Sequence, residues 1–330
     1  MRFLTSSTFV LLIFILGCDG SESKTLTVYV SADEYIAREV IRAFTNETDI
    51  KVSWVGDTEA SKTTGLITRL RREVGNPVAD VFWSSENIGT IQLASEGVFA
   101  PYSSQVTEEW STQYKDATDL WYAFSPRARV IAYDPKVTSK NELPDYWWQY
   151  ADAAMADPRF GTTGTHLAVM AADKGRFYRF VKELSKTPFL AGNSATVQSV
   201  IDGVAKYAMT DSDDVHSAIA QGASVAAFMP RHFEGEGGGT LLIPNTVAVI
   251  ESCDHPELAG LFVDFMLSEK VATILAESNS KNIPLQKNVA SRFPELKVED
   301  PLVVDFVAAA ARRRDAIQQV MQHMREPSAR

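Results

Sequence analysis

Between residues 26 and 93 the chain alternates two hydrophobic periods, and no other feature limits its fold so tightly. Residues 26–30, LTVYV, are an apolar run of strand length. Ala37, Val40, Ile41 and Phe44 then recur at helical spacing. Residues 50–55 alternate as a second strand, and Leu66, Ile67, Leu70 and Val74 line one face of a second helix that Asn76-Pro77 breaks. ADVFW at 79–83 reads as a third strand, and residues 88–93 begin another helix. Strands that alternate with helices pair in parallel and carry the helices on the sheet faces, so the fold class is α/β.

Residues 121–133 read as one extended segment, after which a second run of αβ elements begins. Helical spacing predicts helices over 167–172, 177–184, 196–201, 258–266, 271–276 and 303–324. Strands are expected at 205–209, 224–229 and 240–250, and the glycine-rich run 234–239, EGEGGG, reads as flexible. A chain of 330 residues with 45% hydrophobic composition has enough material for two domains.

The amino terminus is a separate unit. Arg2 precedes an apolar run over 9–16, and Ile15-Leu16-Gly17-Cys18 follows, a pattern that resembles a lipoprotein signal with its lipobox. On this reading residues 1–17 are removed, Cys18 carries the lipid, and 18–24 tether a soluble body to a membrane surface. Cys253 is then without a partner cysteine, so no disulfide framework is expected. The formal net charge of −10 argues against a nucleic-acid partner.

The polar stretches that could carry chemistry follow strands or start helices. Thr210-Asp211-Ser212-Asp213-Asp214 places three carboxylates in four residues where a strand runs into a helix. Asp33 and Glu86 follow the first and third strands, and Ser31-Ala32-Asp33-Glu34 has the S-x-x-E capping pattern, which uses up Ser31 and Glu34. Residues 162–165 (TTGT) and Asn193-Ser194 offer neutral donors at helix starts. In a parallel sheet the carboxyl ends of strands open onto a shared crevice, so these sets can meet. Converged carboxylates without His or Cys suit a hard cation. They also suit an organic polycation with Trp83 or Tyr35 stacked on its charge. Arg127 and Arg129 share one strand face, either as counter-charges to the acids or as a solvent-exposed face. The five histidines show no metal-ligand spacing, and G-x-S-x-G, P-loop and G-x-G-x-x-G motifs are absent. An enzyme, such as a metal-dependent phosphatase, therefore ranks below a binding protein.

The order and spacing of LTVY at 26–29, ADVFW at 79–83, RARV at 127–130, TTGT at 162–165, NSATVQSV at 193–200 and NIPLQKNV at 282–289 resembles the ferric-iron type of periplasmic solute-binding protein, the receptor of an ABC importer. The resemblance runs from about residue 26 to about residue 289. It implies the two-lobe type II periplasmic-binding-protein fold, with a hinge, an interlobe cleft and crossings near 124–128 and 228–242. The implied lobes are 25–126 plus 240–275 and 127–239 plus 276–330, the C-terminal helices leaning on the second. The implied partners are a membrane permease and its ATPase, with the receptor a monomer, periplasmic or at the cell surface. The family's tyrosine pair falls on Asp213 and Asp214, its first-lobe ligand on Asp33 with Tyr35 close by, and its acid near Glu86. Its anion stretch falls on Thr163-Gly164-Thr165 and Asn193, with Asp211 and Arg127 behind the ligands. The expected cargo is Fe(III) or another hard cation with a phosphate- or carbonate-like anion. The alternatives are a polyamine or an organophosphate in the same cleft.

Overall fold

The computed structural model describes residues 25–57, 63–108, 110–185 and 188–325. The signal segment, the tether and the lipidation site Cys18 expected from the sequence lie outside them. Among the described residues no helix is long and apolar enough to cross a membrane.

The first lobe opens with β1 (Thr25–Val30), α1 (Glu34–Thr48), β2 (Lys51–Gly56), α2 (Thr64–Arg72), β3 (Val81–Ser84), α3 (Asn87–Ser95) and β4 (Phe99–Ala100). Strand β1 pairs in parallel with both β2 and β3, as the alternating periods require. Helix α1 buries Ile36, Ala37, Val40, Ile41 and Phe44 and ends where Asp49 turns left-handed. Its Phe44 ring meets Phe262 and Phe265 edge-on at 5.0 and 5.2 Å. Truncating Phe44 to Ala removes both contacts and costs about 3–5 kcal/mol.

The chain then crosses on β5 (Tyr122–Tyr133), all twelve residues of which are buried. The second lobe follows with β6 (Ala154–Met155), α4 (Gly161–Met170), α5 (Lys174–Glu183), α6 (Asn193–Ile201), β7 (Tyr207–Asp211), α7 (Ser212–Ala220) and β8 (Ala226–Phe228). A return crossing, β9 (Leu242–Ile250), leads to α8 (Pro256–Met266), α9 (Glu269–Glu277), α10 (Lys287–Ala290) and α11 (Phe306–Arg325). Along the sheet the order is β2-β1-β3-β9-β5-β7-β6, with β4 on β9 and β8 on β5. The two long antiparallel strands β5 and β9 are thus common to both lobes. Their ladder is broken by a bulge between Phe124 and Arg127, where Ser125 has φ 37°. The amides of Asn245 and Asn282 both bond the Ser125 carbonyl, at 2.8 and 3.3 Å, and Ile283 N–H bonds the Pro126 carbonyl at 2.7 Å.

Three sequence expectations need correction. The C-terminal segment does not lean on the second lobe alone: α11 packs on α3 of the first lobe as well as on α4 and α5, and α10 packs on α9. Phe306, Ala309 and Ala310 of α11 join the core beneath α2 and α3, while Ala316 and Val320 join that of the second lobe. The run EGEGGG is not a free loop. His232 N–H bonds the Gly238 carbonyl at 2.9 Å, Thr240 N–H bonds the Asp300 carbonyl at 2.9 Å, and a side chain at Gly239 would collide with the Asp300 backbone. Finally, α4 starts at Gly161, six residues before the apolar stretch. Gly and Thr are poor helix formers, but Thr162 to Met170 are all buried between the sheet and α11, and burial overrides propensity.

Candidate functional site

The starts of α4, α6 and α7 face one cavity between the lobes. Its walls include Asp33 and Ser85 from the first lobe, and Arg127, Gly161, Thr162, Thr163, Gly192, Asn193, Asp213 and Asp214 from the second. The cavity holds about 60 Å³. A second chamber of about 30 Å³ shares Asp33, Ser85, Arg127 and Asp213 and is closed by Asn245, Ser280 and Asn282 beside the hinge.

Strand β7 ends at Asp211, a residue the ladder places opposite Arg129 of β5. Arg129 has no exposed surface. Its guanidinium pairs with Asp211 Oδ1 at 3.0 Å and bonds Thr163 Oγ1 at 3.0 Å and Asn193 Oδ1 at 3.3 Å. The other Asp211 oxygen accepts from Thr162 Oγ1 at 2.6 Å and from the Asn193 amide at 2.8 Å. Burial alone would raise the Asp211 carboxyl, yet the two guanidiniums of Arg129 and Arg127 hold it below the usual carboxylate range. One buried ion pair therefore fixes the first turns of α4 and α6, whose free N–H groups and dipoles favour an anion in the cavity.

Behind Arg129 lies a chain that the sequence did not announce. Arg129 Nε donates to His166 Nδ1 at 3.4 Å, the two Nε2 atoms of His166 and His232 are 3.0 Å apart, and His232 Nδ1 lies 2.9 Å from the Gly239 carbonyl. Only one direction of donation satisfies every atom: His166 gives its Nε2 proton to His232, and His232 gives its Nδ1 proton to Gly239. Both rings are then neutral, and burial pushes both well below the ordinary histidine value, His232 to about 3.

The acids after β7 differ in exposure. Asp211 is 1% exposed, whereas Asp213 and Asp214 are partly open to the cavity. Each of the three offers one oxygen, and these atoms lie within 4.8 Å of one another. Arg127 stands among them, its Nε 3.3 Å from both Asp211 and Asp213. Its Nη2 also donates to the Ser85 carbonyl across the cleft. Asp214 accepts from Ser194 Oγ at 2.8 Å.

The other sequence-predicted residues are divided. Asp33 borders the cavity at the start of α1, and α1 begins at Glu34, so Ser31 is not its cap. Ser31 Oγ instead accepts the Ser85 N–H at 2.9 Å and the Thr63 hydroxyl at 3.1 Å. Glu86, expected as a ligand, caps α3: its oxygens take the N–H groups of Ile88 and Gly89, both at 2.8 Å, and the Thr165 hydroxyl at 2.9 Å. With 1% of its surface exposed it is spent on these bonds. Thr165 is thereby turned away from the cavity, and a side chain at Gly164 would meet the Pro158 carbonyl and Arg313. The threonine wall is Thr162-Thr163, displaced from the expected Thr163-Gly164-Thr165. Tyr35 lies beside Asp33 and Asp213 and is 45% exposed. Partial burial and those two carboxylates raise its phenol, while bonds with Ser217 and Ser280 pull the other way. Trp83 has no exposed surface and packs on Phe124, so it cannot stack on a cleft cation.

Two lobes joined by two crossing strands, with a polar cavity between them, define a hinged solute-binding receptor. The chain belongs to the family of bacterial extracellular solute-binding proteins, whose model matches residues 24–273. It is 26% identical over 307 residues to Iron uptake protein A1 of Synechocystis sp., spanning 84% of this chain and 81% of that protein. Among solved structures, the ferric binding protein of Campylobacter jejuni superposes with a TM-score of 0.78 at 20% identity, over 90% of this chain and 99% of that one. The periplasmic binding protein AfuA of Actinobacillus pleuropneumoniae, with exogenous fructose-6-phosphate bound, superposes with a TM-score of 0.71 at 19% identity, over 92% and 100%.

Proposed function

We propose that this chain is the cargo receptor of an ABC importer and takes a ferric ion together with a small anion into the interlobe cleft. The observation that carries this reading is the meeting of the carboxylates after β7 with the starts of α4 and α6 in one cavity. Asp33, Asp213 and Asp214 supply hard oxygen ligands to the ion, Tyr35, beside Asp33 and Asp213, is the phenolate candidate, and Asp211 holds the frame. The anion lies against the N–H groups of residues 161–163 and Asn193. The lining of the cavity supports an ion and a small anion, because carboxylates and helix starts border the same space. The names of the Synechocystis and Campylobacter proteins support iron as the cargo.

In the same reading Cys18 bears a lipid that holds the receptor at the periplasmic or outer face of a membrane. The lobes divide as 25–126 with 240–275 and 127–239 with the remainder, except that α10 and the start of α11 rest on the first. The closed monomer is recognised by a permease and its ATPase, and no catalytic step is involved.

The test is the metal content and visible spectrum of the body lacking residues 1–18 after loading with ferric citrate. One iron per chain with a charge-transfer band means that Tyr35 ligates; one iron without the band means a carboxylate site. No retained metal sinks the reading.

A second reading is an organophosphate cargo. Arg127, already seated between Asp211 and Asp213, favours it, and so does the sugar phosphate bound by AfuA. The burial of Trp83 takes one of the two expected aromatic platforms from the polyamine alternative and leaves Tyr35. A thermal shift produced by a phosphate monoester and undiminished by a chelator establishes the organophosphate in place of iron.

A further inference from the structure

We propose that Arg127 is the specificity-determining residue of the cleft: an internal cation that occupies the acid cluster and sets which sign of charge the cavity accepts. The inference rests on the reading of this cavity as the cargo site.

Three observations converge on it. The first is position. Arg127 and Asp213, with Asp33 and Ser85, border both chambers, so their ion pair lies where the one at the helix starts meets the one at the hinge. The second is that Arg127 draws its partners from both sides of the cleft, the Ser85 carbonyl on the first lobe and Asp211 and Asp213 on the second. The third is redundancy. Asp211 is already held by Arg129 at 3.0 Å, Thr162 at 2.6 Å and Asn193 at 2.8 Å, and Arg127 adds only a contact of 3.3 Å. The frame does not need Arg127. At Asp213, which opens on the cavity, the same guanidinium stands at 3.3 Å.

A cationic cargo and this guanidinium therefore compete for the same oxygens. With Arg127 seated, Asp213 is paired, and the guanidinium adds to the helix starts in favouring an anion against the remaining carboxylates, Asp33 and Asp214. With Arg127 displaced, Asp213, Asp214 and Asp33 favour a cation, and the guanidinium no longer stands between the chambers. Arg127 holds cation affinity down and anion affinity up, and it allows cation release without protonation of the acids.

The experiment uses Arg127→Met, which keeps the apolar stem and removes the charge, and Arg127→Lys, which keeps the charge on a shorter reach. Binding of ferric ion, by competition with citrate, and of inorganic phosphate, by calorimetry, is measured for both and for the parent chain. The expected result for Arg127→Met is opposite shifts of about tenfold or more, tighter for iron and weaker for phosphate, with Arg127→Lys close to the parent. Shifts of the same sign, or no shift in either, overturn the inference even where the parent chain binds iron. A parent chain that takes no iron while Arg127→Met takes it supports the inference and removes the ferric reading. Melting temperatures of both variants show that each is folded.

Discussion

The two walls of the cleft are built on different principles. The second-lobe wall is cross-linked: Arg129 and Asp211 tie β5, β7, α4 and α6 together through Thr162, Thr163 and Asn193, all within 3.4 Å. The first-lobe wall presents Asp33 and Ser85, and Ser85 is backed by the buried hydroxyls of Ser31 and Thr63 in a chain of bonds of 2.9 to 3.4 Å. A rigid wall holds a ligand's geometry before the ligand arrives, and hydroxyls adapt to what closes on them. The comparison implies that cargo docks first on the second lobe and that the first lobe swings onto it.

The most damaging way to break this contrast is Arg129→Leu. It leaves Asp211 buried with only Arg127 as a charged partner and should cost about 3–5 kcal/mol in urea unfolding. A loss below 1 kcal/mol would mean that the second-lobe wall is not held by this pair. Next comes Asp213→Ala with Asp214→Ala. These acids are partly exposed, so stability should hold while ferric affinity falls roughly a hundredfold. Unchanged affinity in that double variant takes away the basis of the metal site.

Acidification separates the walls in a third way. Buried, neutral His232 has a folded value of about 3, below the unfolded histidine value, so the unfolded chain takes up the proton first. The stability it contributes is complete above about pH 6.5 and is lost at about 1.4 kcal/mol per unit as the pH falls toward 3. Asp211, held low, adds its own loss as the pH falls through the usual carboxylate range and below it. His232→Asn should make the fall in melting temperature between pH 6.5 and 5 shallower, leaving the share of His166; an equally steep profile would place the acid sensitivity elsewhere. The smallest effects come from the threonines. Thr162→Val should cost about 1–2 kcal/mol and weaken phosphate binding, whereas Thr165→Val should leave phosphate binding as it was. Equal losses of phosphate binding in both would contradict the displacement of the threonine wall.

Much of this frame was legible in the sequence because it rests on local periods. The first three strands and their helices follow from alternation and spacing, and the acids of residues 211–214 announced themselves at a strand-to-helix junction. The misreadings share a physical cause. Ser31-x-x-Glu34 and Ser84-Ser85-Glu86 have equally good local claims to cap helices, and partners more than fifty residues away in sequence decide between them. Ser31 is taken by Ser85, and Glu86 by its own helix and Thr165. Arg127 and Arg129 on one strand face read as exposed or as counter-charges. Both are buried, which only the distant Asp211 and the helix starts around it make tolerable. The His166–His232 pair left no signal, since two histidines sixty-six residues apart have no motif spacing.

The crossing strands have a mechanical consequence. Strand β9 runs unbroken, while β5 carries a kink at Ser125 and Pro126 that is held by side-chain amides and one loop N–H. Two pins join the halves, and only one has slack. Opening can then proceed by trading the bonds of Asn245 and Asn282 for water while the long ladder stays zipped. The dwell time of the shut state is thereby separated from the strength of the sheet. A substitution at either asparagine retunes how long cargo is held.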